Sequence, residues 1–412
     1  MRSIIFLSVA FFMPLSAIQY DIDNLLKASQ ENSAFLDAKN LQIKASGLMI
    51  DQARVWGNPT LSGDFGGITQ NDISGFSYSF RVSQPFFFPG KQKLRAAFAA
   101  YNQQLEIFSL QERKQLIQFN VLQAAYRYKL TEELLHHFQK RLDRFKVLRA
   151  AIAAKPLVSP EIRAQKFIIE SALKNSERDY LNLQRELAVA LQSLNVYVKV
   201  TEQPELVLPT FDGIAPLDRG ALLSEVATNN ILIKKIGIQV SQAEANSTLL
   251  SREAYPDINI NAYYDKDTGP FQEHRFGGGV SLPIPLFNRN QHAVAAAENY
   301  AQAAQKEREY AVDILKRDFN AAFEEYLVAA QLIEKFPVNQ VESTNKSLQN
   351  LTHEFMRGRL TTLTFADVEQ RMRDFIVSAY MAQMAYVNAV LQIALYRGAD
   401  DFSKYLAKQV KE

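Results

Sequence analysis

The sequence predicts a mainly α-helical chain whose long, coiled-coil-like helices are interrupted by two pairs of β-strands that cross a membrane. Three observations carry that prediction. A pattern of elements recurs after about 198 residues, the stretches following each strand pair run far without Pro or Gly, and four short segments alternate residue by residue between apolar and polar.

Taken in order, the first element is a targeting segment. Arg2 supplies a positive start, Ile4 to Met13 form an apolar run, and Pro14 precedes the small residues Ser16 and Ala17. We read residues 1–17 as a signal peptide cleaved after Ala17. The alternative is a retained anchor, but ten apolar residues fall short of the roughly 20 that span a hydrocarbon core. No later stretch reads as a transmembrane helix, because charged or amide residues interrupt each one, so any crossing must use strands.

The mature chain divides into a first repeat (18–195), a connector (196–216), a second repeat (217–396) and a C-terminal tail (397–412). Helical stretches open at Glu31-Asn32-Ser33-Ala34 and at Asn229-Asn230-Ile231, and they stop near Asn58-Pro59 and Tyr255-Pro256. Strand pairs follow at 58–85 and 256–285. In the first, Phe76, Tyr78, Phe80 and Val82 alternate with Ser77, Ser79, Arg81 and Ser83, as Leu61 and Phe65 do with Ser62 and Asp64. In the second, Ile258, Ile260 and Ala262 alternate with Asp257, Asn259 and Asn261, and Phe276, Gly278, Val280 and Leu282 with Arg275, Gly277, Gly279 and Ser281. Polar or Gly-rich loops are expected at Gly66 to Ser74 and Asp265 to His274. Corners follow at Pro85-Phe86-Phe87-Phe88-Pro89-Gly90 and Pro283-Ile284-Pro285-Leu286-Phe287-Asn288, and the serines Ser83 and Ser281 lie 198 apart.

Gly90 to Ala153 then forms one helix of 64 residues, roughly 96 Å long at 1.5 Å per residue. Its stripes Leu94, Phe98, Tyr101, Leu105, Phe108 and Phe138, Leu142, Phe145, Leu148, Ile152 step by threes and fours, as do Leu315, Phe319, Ala322, Tyr326, Ala329 and Ile333 in the second half. Breaks are predicted at Lys155-Pro156, Ser159-Pro160, Pro337 and Arg357-Gly358-Arg359. Asn195 to Pro216 reads as an irregular connector.

Alternation alone also suits a strand on a water-soluble core. Strand length, the aromatics Phe86, Phe87, Phe88, Tyr263 and Tyr264 at segment ends, and export of the chain favour a membrane barrel. Four strands in lipid leave edge N–H and C=O groups unpaired, so several copies must share one barrel, in a number that this argument leaves open.

With no cysteine, disulfides, thiolate metal sites and a lipid-modified Cys are excluded, and a net charge of +2 gives no support to nucleic-acid binding. Phosphate-binding loops, nucleophile elbows and zinc-protease motifs are missing, which argues against an enzyme and against a cofactor.

The order of elements over the mature chain resembles the outer-membrane efflux proteins of the TolC-like family. Pro89-Gly90-Lys91-Gln92-Lys93-Leu94-Arg95 and Gly279-Val280-Ser281-Leu282-Pro283-Ile284-Pro285-Leu286-Phe287-Asn288-Arg289-Asn290-Gln291 look closest to its heavy-metal (CzcC-like) branch. The resemblance implies a homotrimer, with twelve strands closing one barrel among outer-membrane lipid and an α-helical barrel continuing it through the periplasm. A periplasmic adaptor and an inner-membrane RND-type antiporter would complete the pump. The corners Pro59, Pro85, Gly90, Pro256, Pro283 and Pro285 would mark the strand ends.

It implies, too, a periplasmic tip with a glycine followed by acidic residues that narrow the pore. Gly358 matches the glycine and Asp367 stands where an acid is expected, whereas Thr364 departs from the acid that some members carry. Asp367 is equally suited to pairing with Arg371 on a solvated helix. Arg357 and Arg359 would lie where an adaptor docks, or serve as ordinary surface charge. No histidine pair has metal-ligand spacing, and Met381 with Met384 suits a core better than a soft cation. The expected function is passive conduction of heavy-metal cations; the alternatives are a duct for drugs or secreted proteins and a coiled-coil trimer with a barrel anchor.

Overall fold

The computed structural model describes residues 19–31, 33–70, 73–154, 159–200, 204–211, 216–269 and 272–407. The expected signal peptide lies outside them, as does the break at Lys155-Pro156.

In chain order the elements are β1 (Gln19–Tyr20), α1 (Ile22–Glu31), α2 (Ala34–Arg54), β2 (Thr60–Gln70), β3 (Ile73–Phe86), α3 (Lys91–Ala153), α4 (Pro160–Asn195), β4 (Glu205–Leu206) and α5 (Arg219–Asn229). There follow α6 (Ile231–Glu253), β5 (Ile258–Asp267), β6 (Glu273–Ser281), α7 (Gln291–Lys335), α8 (Gln340–Met356), α9 (Thr362–Arg397) and α10 (Phe402–Ala407). The order helix, strand pair, long helix, break, helix thus occurs twice. The rod of the first half is one helix of 63 residues, whereas Pro337 splits that of the second. The chain falls into two compact units, one of Met1–Ser33, Lys114–Leu222 and Phe319–Glu412, the other of Ala34–Arg113 and Leu223–Asp318. Helices α3, α5 and α7 contribute residues to both.

The first unit is a layered helical body. Its core joins Leu142, Phe145, Leu148 and Ile152 of α3 to Ile169 and Leu173 of α4 and Phe365 of α9. A second cluster joins Leu130 of α3 to Val341 and Leu348 of α8 and Ile376, Ala379 and Tyr380 of α9. Each fully buried Phe or Leu contributes about 1.5–3 kcal/mol, so the heptad-like stripes bind these helices together. Ser159 starts α4 by accepting the Ile162 N–H at 3.3 Å, with Pro160 next, where its missing N–H is not needed. The connector is less irregular than expected: β4 pairs in parallel with β1, and Gln383 of α9 clamps Phe211 through both its amide groups, at 2.6 and 3.1 Å. A two-residue strand, Glu205–Leu206, in a Pro-rich stretch gave no local hint of that pairing.

Helix α9 corrects another expectation. Among the described residues it alone is long and apolar enough to span a membrane. No charged residue occurs from 375 to 396, and Val387, Val390, Leu391, Ile393 and Ala394 are fully buried. A helix apolar on most sides here fills the middle of a helical layer.

The second unit holds a four-stranded antiparallel sheet in the order β2-β3-β5-β6. Its hairpins are tighter than the expected loops. Gly66 and Gly67 pair with Ser77 and Phe76 inside the β2–β3 ladder, and Lys266 and Asp267 pair with His274 and Glu273 in β5–β6. Ladder bonds use backbone groups, so glycines and polar side chains continue a strand where composition suggests a turn. Tyr263 and Tyr264 consequently lie inside β5, not at its end.

Candidate functional site

The register separates two faces of the sheet. On one, Leu61 and Phe65 of β2 stand beside Val82 and Tyr78 of β3, Phe80 beside Tyr264 of β5, and Tyr264 beside Phe276 of β6. Rings pack along it, Phe65 against Phe80 and Tyr78 at 5.7 and 6.0 Å. The apolar side chains are nonetheless bare, with Phe65 68%, Phe276 85% and Val280 67% exposed. The opposite face carries Ser62, Asp64, Ser79, Arg81, Asn261, Asp265 and Arg275, with Ser79 donating to Asp265 at 2.6 Å and Arg275 to Asp267 at 2.6 Å. Tyr263 lies on this face across Gly277, where a Cβ would approach its hydroxyl to 2.6 Å, so only glycine admits the ring. Strands β2 and β6 are the sheet's edges, each with one side unpaired within this chain.

The helix-side corners hold this sheet. Pro59 immediately precedes β2, Pro85 lies in β3 opposite Asn259, Pro256 comes two residues before β5, and Pro283 and Pro285 follow β6. Gly90, with φ +94°, turns the chain into α3, and Asn290, with φ +60°, does so before α7. The side chain of Lys91, in the Pro-Gly-Lys corner, is buried and donates to the Tyr255 carbonyl at 2.7 Å and to Asp257 at 2.8 Å. Burial pulls the Asp257 carboxyl up, but hydrogen bonds from Lys91 and the Phe88 N–H outweigh it and hold the group below its usual value. Arg95 pairs with Glu253 at 2.9 Å, and Phe88 stacks on Tyr255 at 4.6 Å. The first-half corner is therefore latched to the second-half one.

At the α8–α9 turn, Gly358 has φ +74°; its N–H reaches the Phe355 carbonyl and that of Arg359 the Glu354 carbonyl, a Schellman ending. Glu354 pairs with both Arg357 and Arg359, at 3.2 and 3.0 Å. Thr361 caps α9 by accepting from the Thr364 N–H at 3.2 Å, and the two hydroxyls lie 2.8 Å apart. Asp367 pairs with Arg371 at 3.0 Å with side chains 58% and 76% exposed. The structure thus brings the two arginines and the glycine together around Glu354, while Thr364 and Asp367 are each engaged within α9.

A second ionic cluster, which the sequence reading did not identify, lies inside the helical unit. Arg141 of α3 makes a two-pronged bond to Glu369 of α9, at 2.8 and 3.0 Å, with side chains 7% and 2% exposed. Asp179 of α4 accepts from Arg373 at 2.9 Å and lies 3.6 Å from Arg141. Arg144 stands alongside, its guanidinium pushed below its usual pKa by burial. The available signal was spacing: Glu369 sits between Phe365 and Ile376 on the stripe that α9 buries. His137 is equally structural, its ring bonded to Tyr380 at 3.0 Å and Asn345 at 2.8 Å. Met384 packs against the α3–α8–α9 cluster while Met381 is exposed, and among the described residues no group of three or more His, Asp or Glu is placed to hold a metal ion.

No protein-family model matches the sequence, and no curated protein matches it. Solved structures do match its fold. CusC, in a study of conformational changes accompanying folding and transmembrane channel formation, is 16% identical, with 93% of this chain and 92% of that chain covered and a TM-score of 0.72. The CmeC outer membrane channel of Campylobacter jejuni is 12% identical over 94% and 88% of the two chains, with a TM-score of 0.68. The open MtrE outer membrane channel of Neisseria gonorrhoeae is 17% identical over 92% and 88%, with a TM-score of 0.72. At these identities the likeness is one of fold, and the expected class, long helices with a four-stranded sheet, is the class these channels share.

Proposed function

We propose that this chain is a subunit of an outer-membrane channel of the TolC-like family, passively conducting substrate from a tripartite pump to the exterior. One observation carries the reading: an open four-stranded sheet is bare and apolar on one face, polar and ion-paired on the other, and unpaired at both edges. In water such a face is an aggregation hazard, whereas in a bilayer it is the outer wall of a barrel. Three copies, each giving four strands, would join β2 of one to β6 of the next and close twelve strands around a wet lumen lined by the Asp64, Arg81 and Asp265 face. The two halves form an internal two-fold repeat, and the helices extend the duct through the periplasm.

The corner sequences 89–95 and 279–291 support the heavy-metal branch, with cations as substrate and an adaptor and an RND-type antiporter as partners. Arg357, Gly358 and Arg359 form the adaptor-facing turn, and Asp367 lines the constriction. Full-length protein in planar bilayers is expected to give ohmic conductance; folded, inserted protein that passes no current would overturn the reading. At the constriction, Asp367→Asn is expected to weaken cation blockage while changing stability by less than about 0.5 kcal/mol, since the exposed pair it breaks contributes little. Unchanged blockage would remove Asp367 from that role.

A further inference from the structure

The loop end of the sheet carries a charge pattern that conduction does not require. Lys266 of β5 stands opposite His274 of β6 and, on its other side, opposite Tyr78 of β3, so all three share the bare apolar face. One pleat nearer the helices that face carries Phe80, Tyr264 and Phe276. The Tyr264 hydroxyl lies 2.7 Å from His274 Nδ1. When that hydroxyl donates to Nδ1, the ring proton sits on Nε2, which turns an N–H donor away from the tyrosine. The neighbouring carboxylates Asp265, Asp267 and Glu273 belong to the opposite face by register, and there they meet Ser79 and Arg275 at 2.6, 2.6 and 3.8 Å.

Two nitrogen donors on a lipid-facing wall need a partner of opposite charge or a polar layer. Their height supplies the layer. From Ile258 to Lys266 the strand rises about 27 Å at ~3.4 Å per residue, or about 20 Å along the membrane normal at a tilt near 40°. That places Lys266 near the loop-side margin of an apolar band about 25 Å tall, with Phe76 of β3 one pleat nearer the loops on the same face, where lipid headgroups come within reach of its long side chain. We infer that Lys266 and His274, on an aromatic shelf of Tyr78, Tyr264 and Phe276, bind the phosphate of an anionic lipid in the leaflet facing away from the helices. The ammonium and the imidazole N–H would both donate to phosphate oxygens while the rings pack against acyl chains or sugar. This inference rests on the membrane reading proposed above.

The test uses the assembled full-length protein in phosphatidylcholine nanodiscs doped with bisphosphorylated lipid A or with the same lipid dephosphorylated, and counts retained lipid by native mass spectrometry. Wild type is expected to favour the phosphorylated form about fivefold, as the single cation Lys266 near a membrane surface would give. Lys266→Gln with His274→Gln should abolish that preference, and Arg275→Gln on the opposite face should keep it. Equal retention of the two lipids by wild type, or a preference that survives the double substitution, would overturn the inference. Should the double variant not assemble, Lys266→Gln alone should lower the preference severalfold, and an unchanged value contradicts the proposal equally. Conductance measured on the same samples separates the two readings: channels without lipid preference remove only this site, while silent protein removes the channel.

Discussion

The helical unit and the sheet-bearing unit solve opposite problems. In the first, apolar stripes face inward and the Arg141–Glu369 pair, with Asp179 beside it, is buried among its partners. In the sheet the arrangement is inverted, with Phe65, Phe276 and Val280 bare and the ion pairs on the face a barrel would enclose. The same residue types therefore carry different meanings in the two places. A buried ion pair selects one helix register in water, whereas a bare apolar face selects lipid as its solvent.

Breaking the buried pair should produce the largest effect. Glu369→Gln removes the two-pronged partner of the buried Arg141 guanidinium, leaving Asp179 at 3.6 Å as its counter-charge, and should destabilise the helical unit by about 3 kcal/mol in denaturant melts. Replacing both partners with Met should recover most of that loss. A harmless Glu369→Gln would mean that the cluster is solvated and the contrast with the sheet false.

Next in size is Val82→Arg on the bare face, opposite Ala262 and midway between Ile258 and Lys266. In a bilayer a cation near the midplane costs about 2–4 kcal/mol, and the folded fraction in lipid should fall accordingly; on a water-facing strand the same change would be neutral. Gly358→Ala should cost roughly 1 kcal/mol, because alanine at φ +74° strains the Schellman turn without meeting any neighbouring side chain.

The smallest effect concerns His137. Burial first, then Lys140 and His136, hold its pKa below the ordinary histidine value. The unfolded chain then takes up the proton before the folded one does. Its stabilising share is complete above the ordinary histidine range and is lost as pH falls below it. Between pH 7.5 and 5 the wild-type melting temperature should fall more than that of His137→Gln, and parallel curves would show that His137 does not contribute.

Much of this architecture could be read from the sequence because punctuation and periodicity are local. Ser159-Pro160, Pro337 and Gly358 end or start helices where expected, and the alternation in β2, β3, β5 and β6 assigned each side chain to its observed face. Hairpin ends were hidden because Gly66, Gly67 and Lys266 keep pairing through backbone alone. The lengthy apolar run of α9 was hidden by Gln383, Asn388 and Gln392, amides that look like interruptions yet belong to a packed helix. At the α8–α9 turn, Gly358 marked the break by its turn chemistry, whereas a role for Arg357 and Arg359 came only from the family resemblance. The Lys91–Asp257 latch and the Arg141–Glu369 bond join residues 166 and 228 apart, a distance at which no local pattern operates.

The inverted sheet is tested most directly by placing a fluorophore on each face. In a Trp56→Phe background, which removes the chain's single tryptophan, Phe276→Trp and Tyr263→Trp would be reconstituted separately into bilayers whose acyl chains carry bromine. Quenching by bromine at 276 with protection from aqueous acrylamide, and the reverse at 263, is the predicted result. Equal access of acrylamide to both positions, with no bromine quenching at 276, would contradict a lipid-facing wall.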